Sequence, residues 1–182
     1  MSRTEIKIGG FGGQGVIMTG MIIGRAATIF DNKYATLTQS FGPEARGSAC
    51  SAQLIVSDEP ILYPYVTKPD LLVVMSQEAF TKFSPQMAAN GKLLYEEDLI
   101  KLAPDTDKKF KTFGVPATRF AEELGRRIVL NLVMAGFFAA VGELLSPKAV
   151  RHSIIDSVPP GTETLNLRAF ERGFEYGSKL VD

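Results

Sequence analysis

The sequence holds one cysteine, Cys50, and one histidine, His152, among 182 residues. A lone thiol excludes an intramolecular disulfide and any all-cysteine iron–sulfur or zinc site built by this chain alone. A self-contained zinc site would need several carboxylates beside the one imidazole, and no H-E-x-x-H occurs. Net charge is missing too. Twenty basic and twenty acidic side chains cancel, so nothing electrostatic favours a nucleic acid or an anionic membrane as partner. The apolar run after Gly15 is broken by Thr19, Gly20, Gly24 and Arg25 well short of a bilayer span, and the N-terminus lacks the basic, apolar and small-residue order of a secretion signal. The expectation is a cytoplasmic protein of one domain, 1–182, long enough to bury a substantial core.

What is abundant is glycine, and it is concentrated. Ile6-Lys7-Ile8 alternates like a strand, five glycines follow within the seven residues from Gly9 to Gly15, and an apolar helix-like run begins at Val16. This is the pattern of a strand, a tight turn and a helix N-terminus, where bare backbone and unpaired N–H groups suit a phosphate or a carboxylate. Gly10, Gly12 and Gly15 fit the G-x-G-x-x-G spacing of dinucleotide-binding turns, which gives the chain a Rossmann-like start. The usual companion is absent, however. The second strand, Tyr34 to Gln39, ends in Thr38-Gln39-Ser40 without the acidic residue that holds a ribose, and no Gly-Lys-Ser/Thr supplies a P-loop. Glycines that only allow close helix-to-sheet packing are the alternative.

Strand and helix patterns alternate through the first two thirds of the chain. A helix is expected over 16–30, strands over 34–39 and 49–57, and a continuous apolar strand over 71–75 buried on both faces. Residues 61–66 are placed as a second arm pairing with 49–57 in a hairpin, although Pro64 makes that arm an edge or an extended loop. Ser76 is placed to cap a helix over 77–83, with a further short turn of helix to Ala89. Strands are expected over 92–95 and 110–113, and Pro116 and Gly125 bracket a helix. The last third is helical: a long apolar stretch over 126–145, a helix restarted by Ser146-Pro147 that carries His152, and a final helix over 162–180. The fold class is therefore α/β, a three-layer sandwich with a mixed, mostly parallel sheet and a helical C-terminal third.

Several side chains stand out. In Ser40-Phe41-Gly42-Pro43-Glu44-Ala45-Arg46-Gly47-Ser48, Arg46 can present a two-pronged donor to a phosphate or carboxylate, or form a salt bridge with Glu44. Asn131 can orient a polar ligand or cap its helix. The small residues along 131–142 can face a partner subunit or this chain's own core. Cys50, in a strand pattern with nothing basic beside it, reads as a buried inert thiol, and His152 as a surface histidine.

Taken together, Gly9-Gly10-Phe11-Gly12-Gly13-Gln14-Gly15-Val16, Gly42-Pro43-Glu44-Ala45-Arg46-Gly47-Ser48, Lys68-Pro69-Asp70-Leu71-Leu72-Val73, Asn131 on its apolar helix and Asn166-Leu167-Arg168-Ala169-Phe170-Glu171-Arg172-Gly173 closely resemble the gamma chain of the 2-oxoacid:ferredoxin oxidoreductases, the 2-oxoglutarate type above all. Ser48 departs from the family, which often has a second glycine there. The resemblance implies an enzyme subunit, inactive alone, in a complex that decarboxylates a 2-oxoacid oxidatively with coenzyme A and delivers electrons to ferredoxin. It implies alpha and beta companion chains, or alpha, beta and delta, which carry the thiamine diphosphate, Mg2+ and [4Fe-4S] clusters, while this chain binds no cofactor by itself. Gly12, Gly13, Gln14, Gly15, Glu44, Arg46, Gly47 and Asn131 are then the ligand or interface candidates, and no catalytic residue is expected in this chain alone. A dinucleotide-binding oxidoreductase domain and a non-catalytic scaffold subunit are the other readings.

Overall fold

The computed structural model of the protein describes residues 3–41 and 49–181. Strands β1 (Arg3–Phe11), β2 (Tyr34–Phe41), β3 (Ala49–Ser57), β4 (Leu71–Val74), β5 (Lys92–Glu96) and β6 (Lys111–Val115) form one sheet in the order β2-β3-β1-β4-β5-β6. β1, β4, β5 and β6 run parallel, and β3 pairs antiparallel with both β1 and β2. The helices are α1 (Val16–Arg25), α2 (Gln77–Phe83), α3 (Thr106–Lys109), α4 (Ala117–Glu123), α5 (Leu130–Val141), α6 (Pro147–Ile155) and α7 (Glu163–Val181). No helix among the described residues is long and apolar enough to cross a membrane.

The layering follows from β4. All four of its side chains are buried, Leu71 and Val73 in one core and Leu72 and Val74 in another, because successive side chains of a strand point to opposite faces. The larger core lies under α1, α4, α5, α6 and α7, and the smaller one lies under α2 with Met87 and Ile100. This is the expected three-layer α/β sandwich with its helical last third on one face. Local chemistry sets the helix ends. The Ser76 hydroxyl accepts from Ala79 N at 3.2 Å and the Ser146 hydroxyl from Ala149 N at 3.1 Å, and Pro147 opens α6.

The structure corrects several expectations. Residues 61–66 form no strand. The antiparallel partners of β3 are β1 and β2, the latter in register from Tyr34 opposite Ser57 to Phe41 opposite Cys50. Pro64 cannot donate to a ladder, and Leu62, Tyr63 and Tyr65 stay exposed. The helix expected over 16–30 passes into π-helical geometry at Ala26–Phe30, and the one expected over 126–145 shortens to α5 behind a 3-10 turn at Arg127–Val129. The turn expected to reach Ala89 stops at Gln86.

The small residues of α5 serve this chain's own core. A methyl group added at Gly136 would lie 1.9 Å from the carbonyl oxygen of Phe170, and one added at Gly173 would lie 1.9 Å from that of Val133. The backbones of α5 and α7 therefore touch at a glycine on each helix.

At the end of β5, Glu96 is wholly buried. Its Oε1 accepts from Thr118 N at 3.2 Å, while its Oε2 and the Thr118 hydroxyl have no partner among the described residues. Burial raises the Glu96 pKa above the ordinary carboxyl value, partly opposed by the backbone hydrogen bond from Thr118. Its contribution to stability is thus complete below the unfolded-state pKa and is lost as pH rises through the higher folded-state value. Glu96→Gln is expected to flatten that fall. In denaturant titrations across pH the variant should be more stable than the parent in mildly alkaline solution, and parallel curves for the two proteins would refute the assignment.

Candidate functional site

β3 lies between β1 and β2, so the end of β1, the end of β2 and the start of β3 meet at one edge of the sheet. Phe11 pairs with Ala49, and Cys50 is flanked by Gly10 and Phe41. The glycine turn therefore stands beside both described ends of the segment that carries Glu44, Arg46 and Gly47. Those three residues lie outside the described part of the chain.

Within the turn, Gln14 is a structural lock. Its Oε1 accepts from Phe11 N at 2.7 Å and its Nε2 donates to Met75 O at 2.8 Å, tying the turn to the end of β4. That accounts for the side chain without a ligand. Gln14→Ala removes both bonds and is expected to cost about 2 kcal/mol of stability in urea denaturation. A negligible loss would mean that the turn holds its own shape.

Gly13 and Gly15 take left-handed backbone angles, with φ of +98° and +74°. Gly15 is the N-cap of α1 without a side-chain cap, and the first closed helical bond runs from Thr19 N to Gly15 O at 2.9 Å. The amides of Val16, Ile17 and Met18 precede that bond, so they offer donors and the positive end of the helix dipole. A Cβ at Gly15 would lie 2.6 Å from Cγ of Asn131, which shows how closely α5 approaches the turn.

Asn131 does not cap its helix. The N-cap position is Val129, and Asn131 sits in the first turn with 3% of its surface exposed. Its carboxamide has no hydrogen-bond partner among the described residues. Neither of its polar atoms is among the fully buried ones without a partner, so the carboxamide opens on the space beside the turn, where an outside partner can reach it.

That place is a cavity of about 1020 Å³. Gly12, Gly13, Gly15 and the start of α1 form one wall; Arg126, the 3-10 turn and Asn131 form a second; residues 158–166 form a third; Phe41 and Cys50 complete it. Of the candidates inferred from the sequence, the structure brings together Gly12, Gly13, Gly15 and Asn131, and turns Gln14 away into the scaffold. The lining is mostly apolar with few polar groups. Asn166 Nδ2 donates to Thr162 O at 2.8 Å and to Thr162 Oγ1 at 3.0 Å, which leaves Asn166 Oδ1 free to accept. Arg126 is exposed at the wall without an ion-pair partner among the described residues. Phe41 and Ile128 are 67% and 73% exposed at the mouth. Burial raises the Cys50 thiol pKa, in keeping with an inert thiol.

Arg126 and Thr162 are absent from the sequence-based candidates, and Asn166 appears there only within a matched motif. The Thr162-x-x-x-Asn166 spacing at a helix start was the available signal. His152 packs against Phe30, ring centroids 5.4 Å apart, away from the cavity lining. No group of three or more His, Cys, Asp or Glu side chains converges among the described residues. With a single cysteine, this chain cannot supply the set of thiolates that holds an iron–sulfur cluster.

Residues 5–176 match the pyruvate ferredoxin/flavodoxin oxidoreductase family. The 2-oxoglutarate synthase subunit KorC of Methanocaldococcus jannaschii is 44% identical over 179 residues, 98% of this chain and 96% of the relative. The keto/oxoacid ferredoxin oxidoreductase gamma subunit from Geobacter sulfurreducens PCA superposes with a TM-score of 0.87 at 36% identity, over 97% of each chain. The fold also recurs in the 2-oxoglutarate:ferredoxin oxidoreductase from Magnetococcus marinus, at a TM-score of 0.85 and 19% identity, where it matches 32% of a longer chain.

Proposed function

The chain belongs to the pyruvate ferredoxin/flavodoxin oxidoreductase family, and on that premise we propose that it is the gamma subunit of a 2-oxoglutarate:ferredoxin oxidoreductase. The complex converts a 2-oxoacid and coenzyme A to an acyl-CoA and CO2 and passes the electrons to ferredoxin. The kinship supporting the 2-oxoglutarate type is the 44% identity with a 2-oxoglutarate synthase subunit along nearly the whole of both chains. Companion alpha and beta chains supply the thiamine diphosphate, Mg2+ and [4Fe-4S] clusters, and the assembly works in the cytoplasm as one domain of this chain docked on its partners.

The observation that carries a direct role in ligand binding is the unpartnered Asn131 carboxamide, packed against the glycine turn and opening on a large and mostly apolar cavity. A long ligand with an anionic group and an amide-bearing arm matches that lining. Amides at the start of α1 and the Arg46 guanidinium meet the anion, and the Asn131 and Asn166 carboxamides meet neutral polar groups. Coenzyme A has this chemistry. The chain's part in the reaction is to bind and orient the acyl acceptor and to exclude water at the boundary with its partners.

Arg46→Ala in the reconstituted complex tests this. Loss of a charge-assisted hydrogen bond is worth about 2 kcal/mol, so KM for coenzyme A is expected to rise roughly 30-fold with assembly intact. Unchanged kinetics would leave that segment an interface role only.

A further inference from the structure

Among the described residues β2 ends the sheet and is hydrogen-bonded to β3 on one side only. Soluble proteins ordinarily guard such an edge with a lysine, a proline, a bulge or a short strand. β2 has none of these. Tyr34–Phe41 is eight residues without charge, proline or glycine, and its register with β3 is unbroken.

Two features of the strand indicate what pairs with it. The Thr36 and Thr38 hydroxyls share one face of the strand, and neither has a hydrogen-bond partner among the described residues. On the other face Leu37 reaches α1, since its Cδ1 would lie 3.2 Å from a Cβ at Gly20, and it is only partly buried. Nearby Met21 of α1 and Ile29 of the π-helical turn leave about half of their surfaces in solvent.

We propose that β2 pairs antiparallel with β2 of a second copy of this chain, about a two-fold axis at Leu37. A dyad perpendicular to the sheet keeps facing side chains on one side only when the paired residue numbers have an even sum. The axis at Leu37 meets that condition. It sets Thr36 opposite the partner's Thr38, Thr38 opposite the partner's Thr36, and Leu37 opposite its own copy. Rotation about χ1 then lets the unpartnered hydroxyls bond across the dyad, a known stabilising pair in sheets. The paired leucines join the two cores on the α1 side, and the two sheets become continuous. The strand supports self-pairing over a foreign strand because Thr36-Leu37-Thr38 at its centre is symmetric about Leu37. A strand from a different chain requires no such symmetry.

The test uses the full chain purified alone. Light scattering should give twice the monomer mass. Thr38→Lys combined with Thr36→Lys sets lysine opposite lysine across the axis and should give monomer, with the circular dichroism spectrum unchanged. Leu37→Cys should form a disulfide-linked dimer on mild oxidation, whereas Ala35→Cys, which faces the partner's Gln39, should not. A monomer at every accessible concentration overturns the proposal. So does a dimer that survives the double lysine variant, or one that cross-links through position 35 and not through 37.

Discussion

Gly136→Ala is expected to destabilise the folded chain by about 3 kcal/mol, the upper range for overpacking a core. The new methyl group would sit 1.9 Å from Phe170 O and 2.9 Å from Phe174 N, both backbone atoms. No rotamer change relieves such a contact, so α5 and α7 must move apart along their whole line of packing. Gly173→Ala meets the same obstacle from the other side, with Val133 O at 1.9 Å and Phe137 N at 3.0 Å, and should cost as much. The double variant should cost much less than the sum, because one separation of the helices makes room for both methyl groups. Gly125→Ala is the control. Its φ of +84° is strained for alanine but its Cβ would meet nothing within 4 Å, so about 1 kcal/mol is expected. Guanidinium denaturation reads all four, and a loss below about 1 kcal/mol for Gly136→Ala would contradict the helix contact.

That contact also sets the cavity. Asn131 lies five residues before Gly136 on α5, and Asn166 lies seven before Gly173 on α7, so the touching glycines stand about 7.5 Å and 10 Å along their helices from the two carboxamides. Helices forced apart there move one carboxamide relative to the other. Any Gly136→Ala complex that still assembles should therefore lose turnover as well.

The second large effect separates function from stability at one residue. Asn131→Leu replaces an unpartnered amide that faces the cavity with an apolar group of similar size. The isolated chain is expected to change by no more than about 0.5 kcal/mol, because the amide opens on the cavity and is solvated there. In the assembled enzyme the same change removes a hydrogen bond to the ligand, and KM for coenzyme A should rise about 10-fold. A side chain kept for packing would show the reverse, stability lost and kinetics unchanged. Gly15→Ala should mimic the kinetic loss, because its Cβ displaces Asn131, with an added cost in stability from the left-handed backbone.

What the sequence disclosed and what it hid divide along physical lines. The glycine turn, the Ser76 and Ser146 caps and the doubly buried β4 depend on neighbouring residues, and each is found where the local pattern puts it. Strand partnership is non-local. The alternation in 49–57 identifies a strand but equally suits pairing with 61–66 or with β2, and only the exposure of 61–66 and the continuous β2–β3 register distinguish the two. Small residues on α5 announce a close approach without naming the approaching helix, and α7 is the one. The site itself arises from a contact between residues far apart in the chain, Gly15 and Asn131. Each looked notable alone, while Arg126 and Thr162 acquire meaning only once the cavity exists.

The most direct measurement is the reduction of ferredoxin by the complex purified with its companion chains, assayed with 2-oxoglutarate and coenzyme A, with this chain present and with it omitted. Coenzyme A-dependent turnover only when the chain is present, with 2-oxoglutarate preferred over pyruvate, is the result predicted here. Full activity without the chain, or turnover with pyruvate alone, would contradict it.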